Sequence, residues 1–379
     1  MPDRIYLDAA AAMPVSPDAA DKFREYALRF RANPESLHSE GVETAEALKA
    51  AKIAVAEALT GDSSYSLFWA SSATEAIKTF FGFPYFINKI VCVTDAEHPA
   101  VREAVKNAGF REIRRIPLQP DGTVRQDGLE EILTPDVSAV IVHCVQNETG
   151  AIQNLAEIRE IINWKAPDAL LISDTVQAIG KIAVPWSEAE INAGFIGGHK
   201  IGAPSGGALL CRFHPLLKNK FTDYMRTLRS VRHLIGRPDP AVCLTLADTA
   251  VSAESSACLC RVVPLCRLLR EELAKFAESK GLEIIFPIPE ASASPYILTF
   301  LMPPYQGEIM VRMLSDKNVM VSSGSACEAS KKAPDSSLTA IGISANLART
   351  ALRVSFTFNS SEKDVFRFVE ALGDAIDDY

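Results

Sequence analysis

Lys200 and Asp174 are the two residues whose types and placement promise chemistry. Lys200 stands in residues 191–212, INAGFIGGHKIGAPSGGALLCR, where an apolar run ends in two glycines and then His199-Lys200. A glycine-rich turn and a second apolar run, 208–211, follow. A lysine at such a junction reads as buried, and a buried lysine shifts its pKa down and becomes a nucleophilic amine suited to a Schiff base. An isolated His-Lys pair on a hairpin would not carry that reading. Asp174 changes the weighing, because it ends the apolar run 169–173 and lies 26 residues before Lys200. A carboxylate at one strand end and a lysine at a later one suit pyridoxal phosphate. Its ring nitrogen needs an acidic partner and its aldehyde needs an amine.

Further turns offer matching groups. Ser71-Ser72-Ala73-Thr74-Glu75 follows a strand and opens a helix, so its N–H groups and small hydroxyls suit a phosphate. Glu97-His98-Pro99 puts a histidine at a strand end, able to stack on an aromatic ring or to cap the element. Asn147-Glu148-Thr149-Gly150 could present an amide to a ring hydroxyl, and Gln177 follows Asp174 by three residues. Taken singly, each reads at least as well as an ordinary cap or polar turn. Together they fall where apolar strands end, which is where ligands bind in an open α/β sheet.

The elements that must position these groups alternate along the chain. Strands are expected at 65–69, 89–93, 112–116, 138–142 and 169–173. Helices are expected over 16–60 (broken at 33–38), up to about 83, and at 98–108, 127–133 and 155–164. This rhythm predicts an α/β fold with a mainly parallel central sheet and helices on both faces. The continuous apolar runs AVIV at 139–142 and ALLI at 169–172 fit strands buried on both sides. From about residue 240 a long helical stretch runs to near 280. Strands at 282–285, 296–301, 319–321 and 352–356 and helices at 306–315 and 361–376 then indicate a smaller α+β domain. The expected division is 16–240 for the large domain, with 1–15 and 241–379 forming the small one.

Composition narrows the function classes. The 379 residues are 48% hydrophobic and 23% charged, and the net charge is -8 with no long basic run, which does not suit nucleic acid as a main partner. No apolar stretch reaches the roughly 18 residues of a membrane span, and the acidic start lacks a signal-peptide pattern. Eight scattered cysteines, without CxxC or zinc-type spacing, point away from disulfides and metal and toward a reducing, cytoplasmic setting.

With these motifs in order, the chain resembles the cysteine desulfurases of the class V aminotransferase group, which have the type I pyridoxal-phosphate transferase fold. The likeness rests on YLDAAAAMP at the start, NPESLHSEG at 33–41, SSATEA at 71–76, EH at 97–98 and QNETGAIQ at 146–153. It continues through SDTVQAIGK at 173–181, GGHKIGAPSGGAL at 197–209, SSGSAC at 322–327 and LRVSF at 352–356. The resemblance implies that Lys200 holds the cofactor and moves protons, that His98 stacks on its ring and serves as acid or base, and that Asp174 pairs with the ring nitrogen. It implies Gln177 and Asn147 near the ring hydroxyl, Ala73, Thr74 and His199 at the phosphate, and Arg353 on the substrate carboxylate, with His38 and Asn147 also at the substrate. Cys327, in a polar loop of about 322–345, would take sulfur from L-cysteine as a persulfide and leave alanine. A homodimer and a sulfur-acceptor or scaffold protein, as in iron–sulfur cluster assembly, would be the partners. The rival readings are another class V activity, such as an aminotransferase or a selenocysteine lyase, and a non-catalytic relative.

The sequence departs from the family pattern at three places: the opening AAAAMP lacks the asparagine and threonines usual near Asp8 at the substrate entrance, and the other two concern the phosphate. Gly197 stands where a serine usually helps bind phosphate, and Gly236-Arg237-Pro238 stands where a Gly-Thr pair reaches the neighbouring subunit's phosphate. Arg237 is therefore expected to reach the neighbour's cofactor in place of the lost hydroxyls.

Overall fold

Apolar runs rich in Val, Ile, Leu and Ala form the centre of a seven-stranded sheet in the computed structural model, which describes residues 4–231, 236–237, 239–255, 259–324 and 337–379. In chain order the strands are β1 (Ile5–Tyr6), β2 (Ser66–Ala70), β3 (Ile90–Thr94), β4 (Glu112–Ile116), β5 (Val137–Ile141) and β6 (Leu170–Ser173). They continue with β7 (Ala193–Gly197), β8 (Gly207–Cys211), β9 (Ile297–Leu301), β10 (Val319–Met320) and β11 (Ala351–Ser355). The large sheet has the order β2-β8-β7-β6-β5-β3-β4. Strands β3 to β7 are parallel, whereas β8 is antiparallel to both of its neighbours, β2 and β7. Because β8 reverses, β2 points the same way as the parallel strands. The C-terminal ends of β2, β3, β5, β6 and β7 therefore share one edge.

Every residue of β3, β7 and β8 is buried, which requires cover on both faces. Alternation along the strands separates the two covers. Ile90, Cys92 and Val140 face a cluster with Leu155, Ile158 and Ile162, while Val91, Val93 and Ile141 face one with Phe80, Phe86, Phe195 and Phe221. The expected α/β architecture, with a mostly parallel central sheet flanked by helices, is the one observed. Boundaries differ from expectation by one or two residues in most elements. The helical region 16–60 is two helices, Pro17–Arg29 and Ser39–Thr60, and in that beyond 240 the described residues are helical over Pro240–Ser255 and Leu259–Lys280.

Beyond this sheet, β9 and β11 form an antiparallel pair and β1 and β10 a parallel one. The expected strand at 282–285 is not formed. Gly281 turns the chain with φ 66°, residues 282–285 stay partly or fully exposed, and only Ile285 bridges to Leu301. The N-terminal arm connects the two regions. Ile5 pairs with Val319, the Ala9 N–H donates to Ser355 O, and the Met13 N–H donates to His199 O at 2.7 Å. Among the described residues, no helix is long and apolar enough to cross a membrane.

Candidate active site

The shared edge of the sheet opens into a cavity of about 200 Å³, and most of the residues singled out in the sequence line it. Each strand end supplies one wall. Ser72 caps the helix Ala73–Phe81 by accepting the Glu75 N–H, so the N–H groups of Ala73 and Thr74 lie ahead of the helix's own ladder and face the cavity. Gly207 of β8 presses on this turn: a Cβ there would lie 2.2 Å from the Ser72 carbonyl carbon. Gly197 lies beside the same cup, and a Cβ added to it would stand 3.5 Å from Ala73 Cβ and 3.2 Å from a Val176 methyl. A side chain at position 197 would thus have to share its space with Val176.

After β3, His98 caps the helix Pro99–Asn107, its Nδ1 accepting the Ala100 N–H at 3.1 Å. That bond leaves the imidazole proton on Nε2. Burial lowers the His98 pKa, with the Asp174 carboxylate opposing and the Lys200 charge reinforcing the shift. After β6, Asp174 is buried, and one carboxylate oxygen accepts the Val176 N–H at 3.1 Å. Burial raises its pKa, and the nearby His98 opposes the rise. A cationic ring nitrogen brought beside this carboxylate would hold it ionised.

Lys200 follows β7 in a short turn, Gly198–Lys200. Its Nζ donates to Ala10 O at 2.8 Å and to Ala11 O at 2.6 Å, both on the N-terminal arm. The lysine expected to be buried is only half-buried, because the turn carries it into the cavity. His199, exposed among the lining residues, has its pKa lowered to about 4, by desolvation first and then by the Lys200 charge. Gln177 lines the cavity and donates from Nε2 to Ala10 O at 2.9 Å. A buried amine is found instead at Lys181, 2% exposed, whose Nζ donates to Gln177 Oε1 at 2.7 Å. Burial, followed by the Lys200 and Arg353 charges, lowers the Lys181 pKa to about 7.

Asn147 and Arg353 close the opposite side. Arg353 is buried in β11, donating from Nη1 to Asn147 O at 2.8 Å and from Nη2 to Asp8 Oδ1 at 3.0 Å. Its Nε is buried without a partner. Ser322 and Gly324 also line the cavity. Cys327 lies outside the described residues, three positions after Gly324. Where the described chain resumes, the Ser337 N–H donates to Glu148 Oε2 at 3.1 Å and its hydroxyl accepts from Gln146.

Two expected residues are not brought here within one chain. His38 caps the helix Ser39–Thr60 through Nδ1 and is exposed away from the cavity. Its place at a helix start, with Nδ1 committed to the Gly41 N–H, accounts for that. Arg237 lines a different cavity, of about 230 Å³, with Lys49, Lys52, Trp69 and Arg229. Its expected contact concerns a second copy of the chain. Not singled out in the sequence are His143, which lines the cavity, and Asp8 and Lys181, which hold the lining residues Arg353 and Gln177 from behind. Among the described residues no group of His, Cys, Asp and Glu could hold a metal ion.

These residues fit a phosphorylated pyridine aldehyde: helix N–H groups for the phosphate, a buried carboxylate for the ring nitrogen and an amine for the aldehyde. Comparison with known proteins agrees. The family model for aminotransferase class-V matches residues 5–223. A NifS/IcsS protein homolog of Lactobacillus delbrueckii subsp. bulgaricus is 28% identical over 97% of this chain and 96% of its own. The human cysteine desulfurase is 27% identical over 97% of this chain and 80% of its own. Among solved structures, a NifS-like protein superposes with a TM-score of 0.83 over the whole of both chains at 23% identity. The Escherichia coli cysteine desulfurase CsdA gives 0.76 at 18% identity, covering 99% of this chain and 95% of its own. The family model spans more than half of the sequence, and the chain belongs to the class V aminotransferase family, among relatives that are cysteine desulfurases.

Proposed function

We propose that this protein is a pyridoxal-phosphate-dependent cysteine desulfurase, converting L-cysteine to L-alanine with transfer of the sulfur to Cys327. The observation that carries the reading is the convergence on one cavity of Lys200, Asp174, His98 and Arg353, with Gly324 three residues ahead of Cys327. A solved relative, SspA, is described in complex with cysteine.

Bound pyridoxal phosphate supplies an electron sink that labilises bonds at the amino acid's α and β carbons. The chain's own residues do the rest. Lys200 provides the amine for the cofactor aldehyde and is placed to carry a proton between cofactor and substrate. Asp174 would keep the ring nitrogen protonated, Ala73, Thr74 and His199 would hold the phosphate, and Gln177 and Asn147 would bind the ring hydroxyl. His98, neutral with its proton on Nε2, can donate or accept at that atom. Arg353 binds the substrate carboxylate through its guanidinium. The Cys327 thiolate attacks the substrate sulfur: an S–S bond forms, the C–S bond breaks, and the carbon side takes up a proton to become alanine. One cysteine and one enzyme thiol thus give one alanine and one enzyme persulfide. The thiolate requirement calls for local cations or the substrate to lower the Cys327 pKa.

The same reading includes a homodimer in which Arg237 serves the neighbouring site, with His38 at the substrate. It also includes a protein that accepts the sulfur, a cytoplasmic setting, and the domain division 16–240 against 1–15 with 241–379. The test is release of alanine and, with a reductant, sulfide from L-cysteine by the cofactor-loaded protein. Equal yields that vanish in Cys327→Ala while the cofactor absorption stays support the reading. Turnover that survives Cys327→Ala points instead to a lyase or aminotransferase.

A further inference from the structure

A chain of three hydrogen bonds joins a residue outside the cavity lining to the amine within it. Lys181 Nζ donates to Gln177 Oε1 at 2.7 Å, Gln177 Nε2 donates to Ala10 O at 2.9 Å, and Lys200 Nζ donates to the same carbonyl at 2.8 Å. We infer that Lys181 is a positioning residue, which orients the Gln177 amide and through it the Ala10 carbonyl on which Lys200 rests.

The geometry leaves Gln177 one orientation. Turning the amide over would set its oxygen against the Ala10 carbonyl, losing that hydrogen bond, and would set its NH₂ donor against donor wherever the Lys181 amine carries its extra proton. Removing Lys181 takes away half of that constraint. The amide could then turn and give up its bond to the Ala10 carbonyl. Gln177 is 4% exposed and Lys181 2%, so no water competes freely for either group. Ala10 is itself fixed, its N–H donating to Ser355 Oγ at 2.8 Å, so a change at Gln177 is passed on to Lys200 and not dissipated in the arm. Lys181 also contributes charge, because Lys200 and Arg353 are among the groups that lower its pKa and must in turn feel it. An amine with no other role here would be an expensive side chain to bury.

The inference rests on the proposed use of pyridoxal phosphate at Lys200. It is tested by cofactor affinity, followed through the visible absorption of pyridoxal phosphate titrated into the cofactor-free full-length protein. The variants are Lys181→Met, Gln177→Ala and the pair together. Each single change should weaken binding by about 5-fold or more, the scale of a lost buried hydrogen bond. The double variant should bind within about 2-fold of Gln177→Ala alone, because the two residues act in series. Lys181→Gln, which keeps an N–H donor without the ammonium, should fall between Lys181→Met and the wild type and covers the case in which the methionine variant misfolds. Wild-type affinity in Lys181→Met or Lys181→Gln overturns the inference, as do losses that multiply in the double variant. A purely structural role for Lys181 would give such multiplying losses. No cysteine enters the experiment, so a protein that binds cofactor but releases no alanine refutes the substrate reading while this test still stands.

Discussion

Asp8 and Arg353, 345 residues apart in sequence, form an ion pair of 3.0 Å at the wall of the active-site cavity. Arg353 is the group expected to bind the substrate carboxylate, so its resting partner is itself a carboxylate. Its remaining contacts are the Asn147 carbonyl through Nη1 and a buried, unpartnered Nε. In the proposed reading an arriving carboxylate would share or displace Asp8, so that the pair would set how tightly substrate binds.

Asp8→Asn keeps the shape and removes the competing charge. The KM for L-cysteine should fall by about 3- to 10-fold, corresponding to roughly 1 kcal/mol, with a smaller change in kcat. Steady-state kinetics check this, and a higher KM would show that Asp8 assists substrate binding and does not compete with it.

Arg353→Ala removes the carboxylate clamp and leaves Asp8 beside the cavity without its cation. Loss of one partner of a buried charged contact costs roughly 3–5 kcal/mol, so kcat/KM should fall by about 100-fold or more. Cofactor absorption should remain, since Arg353 lies on the substrate side.

Asp174→Asn tests the partner of the ring nitrogen. An amide cannot hold that nitrogen protonated, and removing one preorganised electrostatic group of this kind costs about 10²–10³ in kcat. Stopped-flow and steady-state rates should both show the loss even at saturating cofactor.

The pKa of Lys181 predicts a pH effect on stability. Folding lowers it from the ordinary lysine value of 10.5 to about 7, so between those pH values the unfolded chain binds more protons than the folded one. Stability of the cofactor-free protein should therefore rise with pH from about 7 toward 10, by up to about 1.4 kcal/mol per pH unit from this group. Urea denaturation at several pH values measures the slope. Lys181→Met should flatten it.

The sequence reveals the parts of this site that depend on local pattern. Apolar runs such as 139–142 and 169–172 have to be strands covered on both sides, and a functional group just past the end of each must reach the shared edge. That places His98, Asn147, Asp174 and Lys200 without knowledge of the strand order. Contacts between distant segments are not legible in this way. Nothing near Asp8 indicates Arg353, and Lys181, following Gly180 in a turn, reads as an ordinary solvated lysine until packing buries it. The opposite error occurs at Lys200, where glycines on both sides suggest burial but the turn exposes the amine to the cavity. At 282–285 the apolar residues suggest a strand, yet the turn at Gly281 leaves only Ile285 in reach of a partner.

The most direct measurement of the central claim is mass analysis of Cys327 after the cofactor-loaded protein meets L-cysteine without a reductant. One added sulfur atom is expected on the peptide carrying Cys327, with one alanine formed for each such sulfur and neither product in Cys327→Ala. Alanine formed with no sulfur on Cys327, or formed undiminished by Cys327→Ala, would contradict it.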